Sequence, residues 1–411
     1  MPKTIGANSA VIKQRNMEAV KMILYQQAPV SRAEIAAKLG LTPPTITNIT
    51  AELISQGFVE ELKEEEPGEP SRSAGRKPVM IDLKRDCYTV LGISLGRDRT
   101  CYVLCDMRGE VLARGDYEVM HDEYAVMLHQ LQGILTLIRQ EHADLCGNLL
   151  GIGIAIPGIV NAHKGQVKNH GNERLSWCNQ PLGEEISRFT GLPVRVENNV
   201  KARSNAISLF WPEQLEGETS FALCYVSFGI ACPFVLGNQV FRGEDAAAGE
   251  IGKMILRPDL KEGPGYAPPG SLEALSSTRA MVDQCREAVR SGKETLLNTL
   301  CPDPEALQLS HLLEAQRQGD ALVCGIMEQA MIYVGYALAN IVDIINPHLI
   351  FLSGPVFVNR ENVRTVEDTV RQYVFLGEDD ILRIQAVDMS EYAGAIGAAA
   401  GCIEKYFIRR Q

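Results

Sequence analysis

Hydrophobic positions near the start of the chain recur at helical spacing in three short bursts. Met17, Val20, Ile23 and Leu24 mark one face of a helix over about residues 15–27. Ile35, Ala36 and Leu39 mark a second helix, and Ile46, Ile49, Leu53 and Ile54 a third. Ser31 with Glu34 three residues later is a capping box that opens the second helix. Gly40 closes it, because glycine takes the left-handed C′ conformation cheaply. Thr42 is expected to cap the third helix, whose first turn tolerates Pro43 and Pro44. The pattern then shifts to extended runs at 57–62 and 78–83, joined by a polar loop at 63–77. Three helices and a hairpin predict an α+β winged helix-turn-helix over residues 1–85.

Glycine-turned helix pairs are common, and a lone one is weak evidence for DNA binding. The added helix and hairpin make DNA the stronger reading. Thr45, Thr47 and Asn48 lie on the polar side of the third helix, as short uncharged groups suited to base edges in a major groove. Ser31, Arg32, Thr42 and Pro44 complete the set expected to face DNA from the helical side. From the wing, Arg72, Arg76 and Lys77 can reach phosphates or a minor groove. Glu64, Glu65 and Glu66 share that loop and are expected to point away.

Charge sharpens this division. Residues 1–85 hold 12 Lys and Arg against 10 Asp and Glu, a net of +2, which leaves −13 for the remainder of a 411-residue chain whose net charge is −11. A mildly basic head on an acidic body suits a small DNA-contacting module. The 11 cysteines lack C-x-x-C or framework spacing and are expected to be reduced. No leader and no run apolar enough to cross a membrane is read, so the expected location is cytoplasmic, away from membranes.

Beyond residue 86, strands and helices alternate. Strands are expected at 88–96, 100–106, 111–115, 149–156, 221–226 and 349–352, and long helices at 124–141 and 321–345. Repetition of strands followed by a helix predicts two α/β lobes, 86–205 and 206–411, with a cleft between them and a final helix able to return to the first lobe.

Several short motifs follow in order. They are Gly75-Arg76-Lys77-Pro78, Ile156-Pro157-Gly158-Ile159-Val160, Leu175-Ser176-Trp177, Gly191-Leu192-Pro193-Val194, Val196-Glu197-Asn198-Asn199, Ala248-Gly249-Glu250-Ile251-Gly252 and Gly270-Ser271-Leu272-Glu273-Ala274. Each is weak alone. Their ordered sum resembles the ROK family (repressor, open reading frame, kinase), in its repressor branch, across essentially the whole chain. The resemblance implies a two-lobed, actin-like sugar-kinase body, a sugar in the interlobe cleft, and a homodimer or tetramer on a double-stranded operator of two-fold related half-sites.

The chain departs from the kinase pattern at each catalytic part. The first phosphate turn keeps Gly96 but has Ser94 where the family places aspartate, and Arg97 and Asp98 add bulk. Asn199 stands where the resemblance implies the catalytic aspartate, and an amide cannot accept a hydroxyl proton. Pro233 closes a second phosphate loop with no N–H to offer, and Ser353-Gly354 keeps half of a glycine pair. The zinc positions implied by resemblance hold Lys253, Pro264, Tyr266 and Ser271, which are poor zinc ligands. No cofactor is therefore expected, and Pro258, Pro264, Pro268 and Pro269 are expected to stiffen that loop.

Carried over by position, the ligand-binding candidates are Pro157, Gly158, Asn198, Asn199, Glu250, Lys253 and Glu273. Carboxylates and amides suit vicinal hydroxyls. Lys253 either pairs with Glu250 or Glu273 as a space-filling group, or offers a cation to an acidic sugar. Trp177 fits a sugar platform or the core, and Lys201 and Arg203 read as a solvated helix face. The expected function is a sugar-controlled DNA-binding regulator, a repressor, without enzymatic activity. A sugar kinase with a DNA-binding head, and a regulator governed by a protein partner, remain alternatives.

Overall fold

The computed structural model describes residues 9–62, 78–96, 99–118, 123–169, 175–375 and 381–409. The wing loop with Arg72, Arg76 and Lys77, and the pair Arg97 and Asp98, lie outside the described residues.

The head begins with α1 (Ser9–Gln27), six residues earlier than its apolar stripe announces. Its opening turns are largely exposed, so no buried periodicity marks them. Strand β1 (Val30–Ser31), α2 (Arg32–Leu39), α3 (Pro43–Ser55), β2 (Val59–Glu61) and β3 (Met80–Leu83) follow. The sheet order is β1-β3-β2, antiparallel throughout. The two-residue β1 is too short to carry a period and was not expected. Gly40 closes α2 at φ 62°. Thr42 occupies the N-cap of α3 without a side-chain cap, and its hydroxyl pairs with that of Thr45 at 2.9 Å instead. Val20, Leu24, Ile35, Ile46, Leu53, Val59 and Ile81 form the head's core. Each is worth about 1.5–3 kcal/mol of burial.

The body opens with a meander of β4 (Thr89–Leu95), β5 (Thr100–Cys105) and β6 (Val111–Tyr117), followed by α4 (Tyr124–Glu141). Strand β7 (Leu149–Ile156) runs parallel to β4. After the hairpin β8 (Ile159–Asn161) and β9 (Gln166–Asn169) come α5 (Leu182–Thr190), β10 (Val194–Asn198) and α6 (Asn199–Phe210). The sheet order is β10-β7-β4-β5-β6. Met127, Leu131, Ile134 and Ile138 of α4 and Ile186 of α5 pack on Leu91, Ile93, Leu104 and Ile154. Trp177 is fully buried in this layer, edge-on to Tyr124, so it is core and no sugar platform.

Residues Gly217–Glu391 form a separate compact unit. Its sheet contains β11 (Phe221–Val226), β12 (Ile230–Ala231), β13 (Phe234–Leu236) and β14 (Gln239–Phe241). Helices α7 (Leu272–Ser276), α8 (Thr278–Arg290), α9 (Leu297–Leu300), α10 (Leu309–Arg317) and α11 (Ala321–Ile345) precede β15 (Leu349–Ser353), α12 (Arg360–Tyr373) and β16 (Arg383–Ala386). Helix α11 is, against expectation, long and apolar enough to cross a membrane by composition. Its Met327, Met331, Val334, Leu338 and Ile341 instead fill the core of this unit, and that packing is the source of the hydropathy.

The chain then re-enters the first unit, Met1–Glu216 with Tyr392–Gln411, as α13 (Ala393–Ile403). Small residues allow backbone contact here. A Cβ on Gly397 would lie 1.9 Å from Ala202 O of α6, and one on Gly153 would lie 1.9 Å from Ala398 O. This covering corrects one expectation: Lys201 and Arg203 are buried beneath neighbours and do not form a solvated face. A π-turn, Glu404–Ile408, carries Phe407 to the head, where its ring meets Phe58 edge-on at 4.9 Å.

Candidate functional site

On the head, the predicted DNA-facing residues divide into two groups. Ser31 is buried, and its hydroxyl and backbone N–H both donate to Glu34 Oε2, at 2.9 and 2.8 Å, while Glu34 N–H donates to Ser31 Oγ. These bonds hold the Glu34 carboxyl below the usual glutamate range. Arg32 is likewise engaged, donating from Nε to Thr50 Oγ1 at 2.9 Å and from Nη2 to Glu61 Oε1 at 2.7 Å. It ties α2 to α3 and to β2, and so fixes the angle of the pair. Thr50, fully buried and bonded to Ile46 O, is the partner that sequence reasoning missed. Only the tertiary fold brings it to Arg32.

The second group is presented outward. Thr42, Pro44, Thr47 and Asn48 are exposed at the start of α3, and Thr45 is half-buried. Thr47 donates to Pro43 O at 2.9 Å, which fixes its rotamer and leaves lone pairs free. The Asn48 side chain has no hydrogen-bond partner among the described residues, so its amide keeps donors and an acceptor for a base edge.

In the first unit of the body, β7 ends at Pro157-Gly158, where φ of 94° at Gly158 calls for glycine. Asn198 ends β10 and caps α6, accepting from Val200 N and Lys201 N at 2.9 and 3.0 Å. Its Nδ2 donates to Gly158 O at 2.8 Å, so the two expected ligand segments meet. Its oxygen and one of its two N–H donors hold the site together. Asn199 follows as the first residue of α6, half-buried, with its side chain unbonded among the described residues and at the positive end of the helix dipole.

In the other unit, Glu250 precedes a 3₁₀ turn, Ile251–Lys253, and its carbonyl accepts from Lys253 N at 3.2 Å. Lys253 Nζ lies 3.2 Å from Glu273 Oε1, which is the pairing expected of a space-filling lysine. The amine is half exposed, so the pair contributes about 0–1 kcal/mol. Glu273 sits in the first turn of α7, capped by Ser271 Oγ accepting from Ala274 N, and its carboxylate lies against Gly229 and Gly252. Carboxylate and amide groups at these positions can bind hydroxyls. Among the described residues no group of three or more His, Cys, Asp or Glu is placed to hold a metal. All 11 cysteines are unpaired.

The ROK family pattern matches residues 90–405, and the MarR family pattern matches residues 22–66. The chain is 25% identical to the xylose repressor of Caldicellulosiruptor bescii over 398 residues, covering 96% of both chains. It is 23% identical to the DNA-binding transcriptional dual regulator NagC of Escherichia coli, covering 85% of this chain and 82% of that one. Among solved structures it is similar to a ROK family transcriptional regulator, a homologue of the E. coli MLC protein, with a TM-score of 0.82, 26% identity, and coverage of 97% and 98%. The body also shares its fold with a ROK family glucokinase from Streptomyces griseus, at a TM-score of 0.64, 21% identity, and coverage of 76% and 98%. The kinase-like architecture and the winged head are thus joined in one polypeptide, and the chain belongs to the ROK family.

Proposed function

We propose that the protein is a sequence-specific DNA-binding transcriptional repressor whose grip on its operator is set by a sugar or sugar derivative, and that it carries no kinase activity. The observation that carries this reading is the outward face of α3, with Asn48 uncommitted and Arg32 and Thr50 bracing the helix from behind. The repressors and regulators among its relatives support it. A homodimer, or a tetramer of two such pairs, places two α3 helices on two-fold related half-sites. The ligand residues are Pro157, Gly158, Asn198, Asn199, Glu250, Lys253 and Glu273.

Asn199 supports the absence of phosphoryl transfer. An amide can donate to and accept from a sugar hydroxyl, but it cannot take up the proton that a kinase must remove. No cofactor enters this reading. To empty the operator, the effector must favour one state by roughly 5 kcal/mol. The test is operator binding by fluorescence anisotropy across a panel of neutral sugars and sugar acids, paired with a coupled ADP-release assay. One sugar that shifts the midpoint, without turnover, supports the proposal. Turnover above background, or a panel with no effect on DNA binding, overturns it.

A further inference from the structure

Three of the four positions at which the family resemblance implies a zinc ligand have another use in this chain. Lys253 pairs with Glu273, Ser271 caps α7, Pro264 offers no donor, and Tyr266 stacks on an arginine. The loop between the 3₁₀ turn and α7 is nevertheless closed. At its neck, Leu256 N and Arg257 N both donate to Gly270 O, at 2.9 and 3.0 Å, and Leu272 N donates to Met254 O at 2.8 Å. Gly270, at φ 66°, is pressed so close that a Cβ would meet Arg257 O at 1.9 Å. Arg257 itself binds Asp259 and Tyr333 Oη, which tethers the near side to α11.

The cation–π contact lies on the far side. The Arg279 guanidinium sits 3.8 Å from the Tyr266 ring centroid and 5.1 Å from that of Phe228. Tyr266 comes from the loop, Phe228 from the turn after β11, and Arg279 from the first turn of α8. Thr278 N, beside Arg279, donates to Ser227 O at 2.8 Å, beside Phe228. One side chain therefore joins three segments. Two of them bear on Glu273: Gly229 follows Phe228, and a Cβ added there would lie 3.5 Å from the Glu273 carboxylate, and Ser271 at the loop's end caps its helix.

We propose that Arg279 is a positioning residue that replaces a structural metal, stacking between the loop and the relic phosphate turn so that Glu273 and Lys253 are held without zinc. A guanidinium suits this role because it is always charged, planar and weakly hydrated. The role of Glu273 toward an effector rests on the function proposed above, whereas the metal-free clamp does not. It is tested without sugar or DNA.

The test is hydrogen exchange of the peptide spanning residues 257–271 in the full chain, with and without EDTA, for wild type, Arg279→Met, Arg279→Lys, Tyr266→Leu and Tyr266→Phe. Expected is no response to EDTA, an acceleration of roughly tenfold in Arg279→Met and Tyr266→Leu, a smaller acceleration in Arg279→Lys, which keeps the charge but not the plane, and near wild-type exchange in Tyr266→Phe. Peptides from α11 report whether a variant has lost its fold, and Tyr266→Leu, altered on the loop side, then carries the comparison. Acceleration by EDTA, stoichiometric zinc in the purified protein, or equal loss in the Lys and Met variants overturns the proposal.

Discussion

Lys21 Nζ, in the first helix of the head, donates a 2.6 Å hydrogen bond to Phe407 O, 386 residues later in the chain. The same ammonium lies 4.5 Å from the Phe407 ring centroid, and Lys21 is only 7% exposed. The head is thus fastened to the π-turn that follows α13, and α13 lies backbone to backbone against α6, which begins at Asn199. Arg108 adds a second fastening, donating to Leu24 O and Tyr25 O at the end of α1 and pairing with Asp82.

Lys21→Met removes the charge-assisted bond while keeping the length of the side chain. We expect a loss of about 2 kcal/mol in urea unfolding, since hydrogen bonds to charged groups contribute about 1.5–3 kcal/mol. An unchanged midpoint contradicts the fastening.

The capping box predicts a pH dependence. The folded Glu34 carboxyl titrates below its unfolded counterpart, because Ser31 donates to its ionised form. The stabilisation is therefore present above the ordinary glutamate range and is lost as pH falls through the folded value. Calorimetric melting of wild type and Glu34→Gln should differ near neutrality and converge in acid. A difference that grows in acid reverses the sign and contradicts the assignment.

Gly397→Ala places a methyl group 1.9 Å from Ala202 O, between two backbones that have no room to part. Overpacking of this kind costs roughly 1–3 kcal/mol or more. The variant should melt lower than wild type by several degrees. Gly133→Ala, whose added Cβ meets nothing in the interior of α4, is the control and should melt no lower than wild type, since alanine favours a helix.

Asn199→Asp places a carboxylate where the family resemblance implies a kinase's base. ADP release should nonetheless stay at background across a sugar panel, because Pro233 still denies the phosphate loop a backbone donor. Turnover in this variant means that a single residue separates this body from a working kinase.

Much of the head was readable because its signals are local. The capping box spans four residues, Gly40 marks its own conformation, and the stripe in α3 shows its period within thirteen residues. What escaped was either too short, too uniform or too distant. Strand β1 has two residues. In α13 every residue is buried, so no polar side marks a period, and its role as cover for Lys201 and Arg203 could not be read. Arg32 looked like a DNA contact because its partners, Thr50 and Glu61, lie 18 and 29 residues away. The non-ligand residues at the zinc positions implied by the resemblance were readable in sequence, but the Arg279 contact needs three segments to meet. The signal for it was an aromatic residue, Tyr266, at one of those positions.

The central claim is base reading by α3, and the affinity ratio between cognate and scrambled DNA tests it most directly. Duplexes selected from a random library by the full chain would be compared with scrambled duplexes by anisotropy, for wild type and Asn48→Ala. Wild type should prefer the selected duplex by roughly 10³-fold or more. Asn48→Ala should lose about 1–3 kcal/mol on the selected duplex alone, relaxing specificity at one base pair. Equal binding of both duplexes by wild type, or an equal loss on both in the variant, contradicts base readout by this helix.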